Sequence, residues 1–512
     1  MSLHTYSLGD MIRDHARSWP SKLAFVDGDI RLTYAEVDQR VTRLANILRD
    51  CGVTAERPVL WFGQNSLRLL EGMLACAKLG AAFAPANWRQ SPDELAHVLD
   101  DLSPAVVLWE GRDADLAANG EKARAQAAVQ ATWIQHDGDD ADGYETLLTH
   151  ASAIDEEVEV DSSLPVLLMY TAAFEGRPRA AMITHDGLVH QGLAIALVQG
   201  ITWDSVYLNC GPLFHMATFM TTMSTLLLGA TNVFTPTADA EDILRLVDAE
   251  HCTAAFLMPP TVQRMGELNV DGQYDLSSLA TSRMGVAGFD EHISTVPRTP
   301  WLKAPGGFGQ TEVTGLATFA AYGGPGMAGR SAPAAAVRIL DPNGDEVAVG
   351  ETGEIAVKGP LAMAGYWGDD AETRRRTRNG WLRTNDLGRR LDDGTIVFVA
   401  PMTRIIKSAA ENIYPAEVES CLAAHPAVFQ CCVIGVPDAT WGQNVRAVVR
   451  LNRDAEPPSQ DDLIAWCKDH IASYKKPKDV VFVDRFPRTA LGVIDRDAVD
   501  AEHGGGGYPG NG

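Results

Sequence analysis

Residues 165–185, PVLLMYTAAFEGRPRAAMITH, hold two short apolar runs, Val166–Met169 and Ala180–Ile183, joined by the linker Thr171–Arg179. Bounded by Pro165, Gly176 and Pro178, the runs read as β-strands. A linker of this outline could grip phosphate, but that chemistry needs three things. Glycines let backbone N–H groups close on the oxygens, hydroxyls donate further bonds, and a cation balances the charge. Here Ala172, Ala173 and Phe174 take the small and hydroxylic positions, and Glu175 adds a negative charge. Thr171, Gly176 and Arg179 alone still fit the role. A second glycine-rich stretch, Gly306-Gly307-Phe308-Gly309-Gln310-Thr311-Glu312, reads either as a turn before a helix capped by Thr311 or as a loop lying against a nucleotide. His215, after Pro212-Leu213-Phe214, either positions a substrate or is a satisfied core histidine. The run Tyr474-Lys475-Lys476-Pro477-Lys478 either meets phosphates or is a solvated face.

In register, these stretches resemble the motifs of the adenylate-forming superfamily, which comprises acyl-CoA synthetases, peptide-synthetase adenylation domains and luciferases. Residues 170–180 are similar to its YTSGTTGxPKG, and Ile183-Thr184-His185 to the LTH that follows. The resemblance extends over nearly the whole chain. Members make an acyl-adenylate from an acid and ATP; a smaller C-terminal domain then swings so that a thiol, usually that of CoA, displaces AMP. The resemblance implies that Gly307, Phe308, Gln310, Thr311 and Glu312 stand at G-Y-G-x-T-E. There an aromatic ring and bare backbone meet adenine, the threonine hydroxyl bonds the α-phosphate and the glutamate holds magnesium. Ala287-Gly288-Phe289 matches a second adenine-lining turn more weakly. Asp386, in Thr384-Asn385-Asp386-Leu387-Gly388, matches the T-G-D-L aspartate that accepts both ribose hydroxyls, a contact for which a carboxylate is well suited. Pro212-Leu213-Phe214-His215 is similar to P-L/M-F-H, so His215, Met216 and Phe219 are expected at the acyl pocket, with His215 and Thr311 as the catalytic pair. CoA is expected against Ala409, Ala410, Trp441 and Lys476.

The departures from the family share a theme. Where the family has a D-R or K-R pair, hinge followed by ribose-binding arginine, this chain has Ala400 and Pro401; Ala409 and Ala410 replace two glycines. In Pro487–Arg496 the lysine that bridges carboxylate and α-phosphate during adenylation is Val493. Arg179, Lys407 and Arg496 are the cations that could substitute. Preorganised donors dominate catalysis of attack on ATP, and losing one costs on the order of 10²–10³ in rate, about 3–4 kcal/mol. Thiolation asks less: the adenylate is already activated, a thiol is intrinsically nucleophilic, and the site mainly aligns it with the carbonyl. The expectation is a non-adenylating acyl-CoA ligase that takes a preformed acyl-adenylate, transfers the acyl group to CoA and releases AMP. Magnesium is not required for that step, no metal site is expected, and a separate adenylating enzyme is the functional partner. Within the superfamily the pattern is similar to the non-adenylating diterpenoid acyl-CoA ligases of antibiotic (platensimycin and platencin) biosynthesis, which implies a bulky terpenoid acid. The alternatives are a complete ATP-dependent acyl-CoA synthetase and an inactive nucleotide- or CoA-binding regulatory protein.

The elements that must position these residues follow from spacing. Thr33-Tyr34-Ala35-Glu36 is a capping box opening a helix that ends at Cys51-Gly52. Strands at Val59–Phe62, Ala81–Ala84 and Ala105–Leu108 alternate with helices begun at Asn65-Ser66 and at Ser91-Pro92-Asp93-Glu94. The alternation repeats from Trp203 to Pro260, and predicts α/β architecture with a parallel sheet covered on both faces. Ala114–Ala131 reads as a surface helix, and Ala335–Val399 as β-rich. The expected division is an N-terminal acyl- and nucleotide-binding domain over 1–400, a mobile α+β C-terminal domain over 401–500 and a disordered tail over 501–512. With 512 residues, 46% hydrophobic and 21% charged, the chain can bury a large core. A net charge of −24 argues against nucleic acid or anionic membrane as partner. The eight cysteines form no C-x-x-C pair, and Cys431-Cys432 should alternate across a strand. With no signal pattern and no apolar run long enough to span a bilayer, a cytoplasmic location is expected. The oligomeric state stays open, a homodimer included.

Overall fold

A computed structural model describes residues 4–506 apart from 91, 139, 172–178, 258, 282–306, 321–327, 403–405, 409–410, 414, 440–441, 454, 472–474 and 490–492. The chain forms two compact units: Met1–Val337 with Val357–Leu382 and Gly394–Ile396, and Arg338–Ala356 with Arg383–Asp393 and Val397–Gly512.

In the first unit, α1 (Leu8–Ser18), β1 (Leu23–Asp27), β2 (Ile30–Thr33), α2 (Tyr34–Asp50), β3 (Val59–Phe62), α3 (Leu67–Leu79), β4 (Phe83–Pro85), α4 (Pro92–Leu102), β5 (Val106–Trp109), α5 (Ala114–Gln126), β6 (Thr132–Gln135), α6 (Tyr144–His150), β7 (Pro165–Tyr170), β8 (Ala180–Thr184), α7 (His185–Gln199), β9 (Val206–Asn209), α8 (Met216–Leu227), β10 (Thr231–Phe234), α9 (Ala240–Glu250) and β11 (Ala254–Ala255) follow one another. The helix starts obey local chemistry. Thr33 and Glu36 close the expected capping box of α2, Ser66 caps α3, and Gly80 ends α3 in the left-handed conformation at φ 67°.

Two sheets result. One runs β8-β7-β4-β3-β5-β6, with Gly365–Tyr366 added beyond β8; the other runs β11-β9-β10-β1-β2. The chain goes from β3 to β4 on one side and later returns to place β5 on the other, so the order reverses at β3. On one face of the larger sheet, Leu60, Phe62, Val107 and Leu168 pack with Leu95, Leu99 and Leu102 of α4 and Leu116 and Ala123 of α5. In the smaller sheet, Leu208 and Val233 pack on Ile243, Leu244 and Val247 of α9.

Three features differ from the expectation. The sheet is not wholly parallel: β7 and β8 pair antiparallel, as do β1 and β2, because their connections are too short for a crossover. A further strand, β6, follows the alanine-rich helix, which stops at Gln126. And α7, apolar on every side, shows no amphipathic period to announce it.

The second unit contains a sheet in the order Glu411–Ile413, Ile406–Ser408, Gly442–Leu451, Val428–Asp438, with Asp479–Phe482 parallel to Gly442–Leu451. Val433, Val445, Ala447 and Val449 pack on Val418 and Leu422 of helix Pro415–Ala423 and on Leu463 and Cys467 of helix Gln460–His470. Cys432, Ile434 and Val448 pack on Phe486 and Val499 of helix Arg496–Glu502. Cys431 and Cys432 therefore do face opposite sides, and all eight cysteines are unpaired. Burial pushes the Cys210 and Cys467 thiols up to about 12, where neither is reactive near neutral pH. The tail expected to be disordered from Ala501 is ordered as far as Gly506. Its last helix continues to Glu502, Gly505 N donates to Asp500 O at 2.7 Å and Gly506 N to Gly435 O at 3.0 Å; residues 507–512 lie outside the described residues. No described helix is long and apolar enough to cross a membrane.

Candidate active site

In the first unit the glycine-rich stretch folds into a small hairpin, Gly309–Gln310 against Gly315–Leu316. Close approach explains its glycines. A Cβ on Gly307 would lie 2.0 Å from the Thr318 carbonyl oxygen, and one on Gly309 would lie 1.9 Å from that of Gly315. Phe308 N donates to Thr318 Oγ1 at 2.8 Å, and Phe308 O accepts from Ala317 N at 2.9 Å. These bonds draw Phe308 inward to 1% exposure, so its ring packs beneath the loop and offers no open face of the kind the family resemblance implied for adenine.

Thr311 begins a 3₁₀ turn, Thr311–Val313, whose N-cap is Gln310, so Thr311 does not cap a helix. Its side chain is half-buried. Glu312, 9% exposed, accepts from the Tyr366 hydroxyl at 2.8 Å. Burial first, and then the Glu312 charge, pushes the Tyr366 phenol well above its ordinary pKa, so it stays a donor. Buried Arg376 donates from Nη2 to Gln310 Oε1 at 3.2 Å. Tyr366 and Arg376 thus brace Glu312 and Gln310 on either side of Thr311, and the sequence alone singles out neither.

His215 caps α8, with Nδ1 accepting from Ala217 N at 3.2 Å, which leaves the proton of the neutral ring on Nε2. The ring edge is exposed, so this is no core histidine. It sits among protein mass that lowers its pKa by desolvation. Met216 and Phe219, expected to line an acyl pocket, are 3% and 0% exposed and belong to the packed wall behind His215. Arg89, which the sequence reading missed, lies with its guanidinium 4.3 Å over Trp88 and 6.0 Å from the Phe214 ring.

Two substitute cations are already engaged. Arg179 Nε holds Asp369 Oδ2 at 3.0 Å in the first unit. In the second, Arg496 makes a bidentate pair with Glu419, both contacts at 2.5 Å. Lys407 lies in strand Ile406–Ser408 opposite Asn412.

Asp386 also belongs to the second unit, half-buried in strand Trp381–Arg390, with its N donating to Thr384 Oγ1 at 3.2 Å. Asn385 before it has φ 58°, and its N donates to Glu354 Oε1 at 2.9 Å. Buried Arg383 grips Glu354 Oε2 at 2.6 Å, which fixes the turn. Val493 is 58% exposed in a turn closed by Thr489 N to its carbonyl at 3.0 Å. Lys476 is half-buried; burial and the charges of Lys478 and Lys468 lower its pKa. Ala400 and Pro401 lie in strand Ile396–Pro401. Ala172, Ala173, Glu175, Gly288, Ala409, Ala410 and Trp441 fall outside the described residues.

A large α/β unit bearing a glycine-rich, acid-ended turn, followed by a small α+β unit, defines a two-domain nucleotide-dependent enzyme class. The chain belongs to the AMP-binding enzymes: the family model for the AMP-binding enzyme matches residues 12–367 and that for its C-terminal domain matches 417–492. Feruloyl-CoA synthase from an Amycolatopsis species is 34% identical over 513 residues, covering 98% of this chain and 100% of that protein. Indoleacetate–CoA ligase from Aromatoleum aromaticum is 32% identical over 500 residues, covering 96% and 97%. Among solved structures, Mycobacterium tuberculosis fatty acyl CoA synthetase superposes with a TM-score of 0.80 at 26% identity, covering 97% of this chain and 98% of that one. ATP-bound MatB from Rhodopseudomonas palustris superposes with 0.78 at 25%, covering 98% and 99%.

Proposed function

We propose that this protein is an acyl-CoA ligase that carries out the thiolation half-reaction: it accepts a preformed acyl-adenylate, transfers the acyl group to CoA and releases AMP. The observation that carries this reading is the state of the cations. A solvent-exposed valine stands at the lysine position of the C-terminal motif, and Arg179 and Arg496 are bound to Asp369 and Glu419. Attack on ATP needs charge stabilisation at the α-phosphate and at departing pyrophosphate, which these groups do not supply. Attack of a thiol on a bound adenylate needs chiefly alignment. Magnesium is dispensable on this reading because no pyrophosphate leaves. On this reading, within the first unit, Thr311 and Glu312 meet AMP and His215 stands at the acyl group; within the second, Asp386 is the ribose-binding candidate and Lys476 the candidate for CoA phosphate.

The acid is a bulky polycyclic terpenoid acid, as the resemblance to the diterpenoid ligases of antibiotic biosynthesis implies. A separate ATP-dependent enzyme supplies its adenylate in the same compartment, the cytoplasm. A second reading, a complete ATP-dependent synthetase acting on an aromatic acid, is favoured by the feruloyl and indoleacetate ligases among the relatives.

One assay decides. ATP plus acid, or preformed acyl-adenylate, is supplied with CoA, using both a terpenoid and an aromatic acid. Thioester from adenylate alone supports thiolation; thioester from both inputs establishes the complete synthetase. Thioester from neither leaves a nucleotide- or CoA-binding regulatory protein.

A further inference from the structure

Beneath the loop that carries His215 lies a buried polar clamp in the first unit. Asn65, 6% exposed, leaves β3 just before the cap of α3. Its Nδ2 donates to Gly211 O at 2.8 Å, and its Oδ1 accepts from Leu213 N at 3.0 Å. Longer contacts from Nδ2 reach Thr235 O at 3.4 Å and Asn209 O at 3.5 Å, at the ends of β10 and β9. One planar amide therefore spans both edges of the turn before His215. From the other side Thr218, 3% exposed, sets its Oγ1 against Pro212 O and, at 2.8 Å, His215 O. The fit is tight: a Cβ on Gly211 would meet Thr218 Cγ2 at 2.3 Å. The packing continues downward, with Thr222 Oγ1 donating to Asn209 Oδ1 at 2.6 Å and Asn209 Nδ2 to Asn232 Oδ1 at 3.2 Å.

An amide suits the Asn65 position because its donor and its acceptor sit on two separate atoms that reach Gly211 and Leu213 at once. The site needs a donor and an acceptor on one short side chain, whereas an ionised aspartate offers acceptors alone and would face the Gly211 carbonyl. We infer that Asn65, working with Thr218, is a positioning residue that sets the place of the His215 imidazole at the acyl site. The inference rests on the proposed role of His215, and its test separates the two.

Asn65→Asp, Thr218→Val and His215→Ala are made singly, and the first two are each combined with His215→Ala. Thiolation of a preformed acyl-adenylate is measured with each. In parallel, the His215 titration is followed by NMR on ¹⁵N-histidine-labelled protein, its signal assigned by its loss in His215→Ala. Asn65→Asp and Thr218→Val should each raise KM for the adenylate by about 10-fold while leaving KM for CoA in place. On a His215→Ala background the same changes should cost less than about 2-fold, as expected of coupled residues. The His215 midpoint should rise toward the ordinary histidine value as the loop loosens. A full penalty on both backgrounds, or an unchanged His215 midpoint in folded Asn65→Asp, overturns the inference. If Asn65→Asp fails to fold by circular dichroism, Thr218→Val carries both readouts. If His215→Ala keeps wild-type kinetics, the functional role of His215 is wrong, and the NMR midpoint alone decides the clamp.

Discussion

Val493 presents an isopropyl group to solvent where the family's motif has a lysine, and its 58% exposure leaves room for a longer side chain. Val493→Lys should therefore fold normally. It is nevertheless expected to give no robust ATP use, because Arg179 stays paired with Asp369 and the linker keeps Glu175 and its alanines. Rapid ATP–pyrophosphate exchange by the single mutant would contradict this. His215→Ala removes an exposed ring that packs little of the core, so its effect should fall on kcat/KM for the adenylate, by roughly 10-fold, about 1.4 kcal/mol. Stability should fall only by what a lost helix cap costs, about 1 kcal/mol, since Nδ1 caps α8; a larger loss with unchanged kinetics would return the residue to a structural role. Asn385 occupies the glycine position of T-G-D-L, and its φ of 58° lies in the left-handed region that glycine and asparagine adopt at least cost. Asn385→Gly is expected to be near neutral. Asn385→Val should cost about 1–2 kcal/mol in chemical denaturation.

At the scale of elements, local rules worked where a few neighbouring residues decide. The capping box of α2 was legible because Thr33 and Glu36 need only each other, and Glu36 Oε2 accepts from Thr33 N at 2.7 Å. Thr33→Ala should cost about 1 kcal/mol of stability, read from the denaturation midpoint, whereas Thr33→Ser should cost far less. Reading from periodicity failed for α7, whose apolar residues run round the helix so that even its exposed face carries Leu193 and Leu197, and for β6, which is too short to stand apart from the alanine-rich segment before it. The antiparallel β7–β8 pair could have been anticipated: the nine positions of Thr171–Arg179 are too few for the crossover that parallel strands need.

Across the whole molecule, two buried histidines tie stability to pH. His136 stacks on Trp61 at 4.1 Å, and neither ring nitrogen has a hydrogen-bond partner among the described residues; burial lowers its pKa to about 3. His185 accepts from Leu8 N at 3.1 Å through Nδ1, which holds α1 in place, and burial lowers its pKa to about 4. Both rings must be neutral in the folded state, while the unfolded chain binds a proton on each below about pH 6.5. The penalty is absent well above pH 6.5, grows as the pH falls and levels off only below the folded-state values. Between pH 7 and 5 it should reach about 2 kcal/mol per ring. Denaturant titrations at the two pH values check this, and equal midpoints would refute it. Amino-acid order alone determined the α/β alternation, the helix caps, the glycine-rich turn and the absent lysine, because each depends on backbone preferences and neighbours a few positions away. Only the tertiary structure decided that Arg179 is taken by Asp369, 190 positions on, that Arg496 is taken by Glu419, 77 positions back, and that Asn65 holds a turn 146 positions away. Which charges and amides meet is set by where the folded chain returns, and no local preference carries that information.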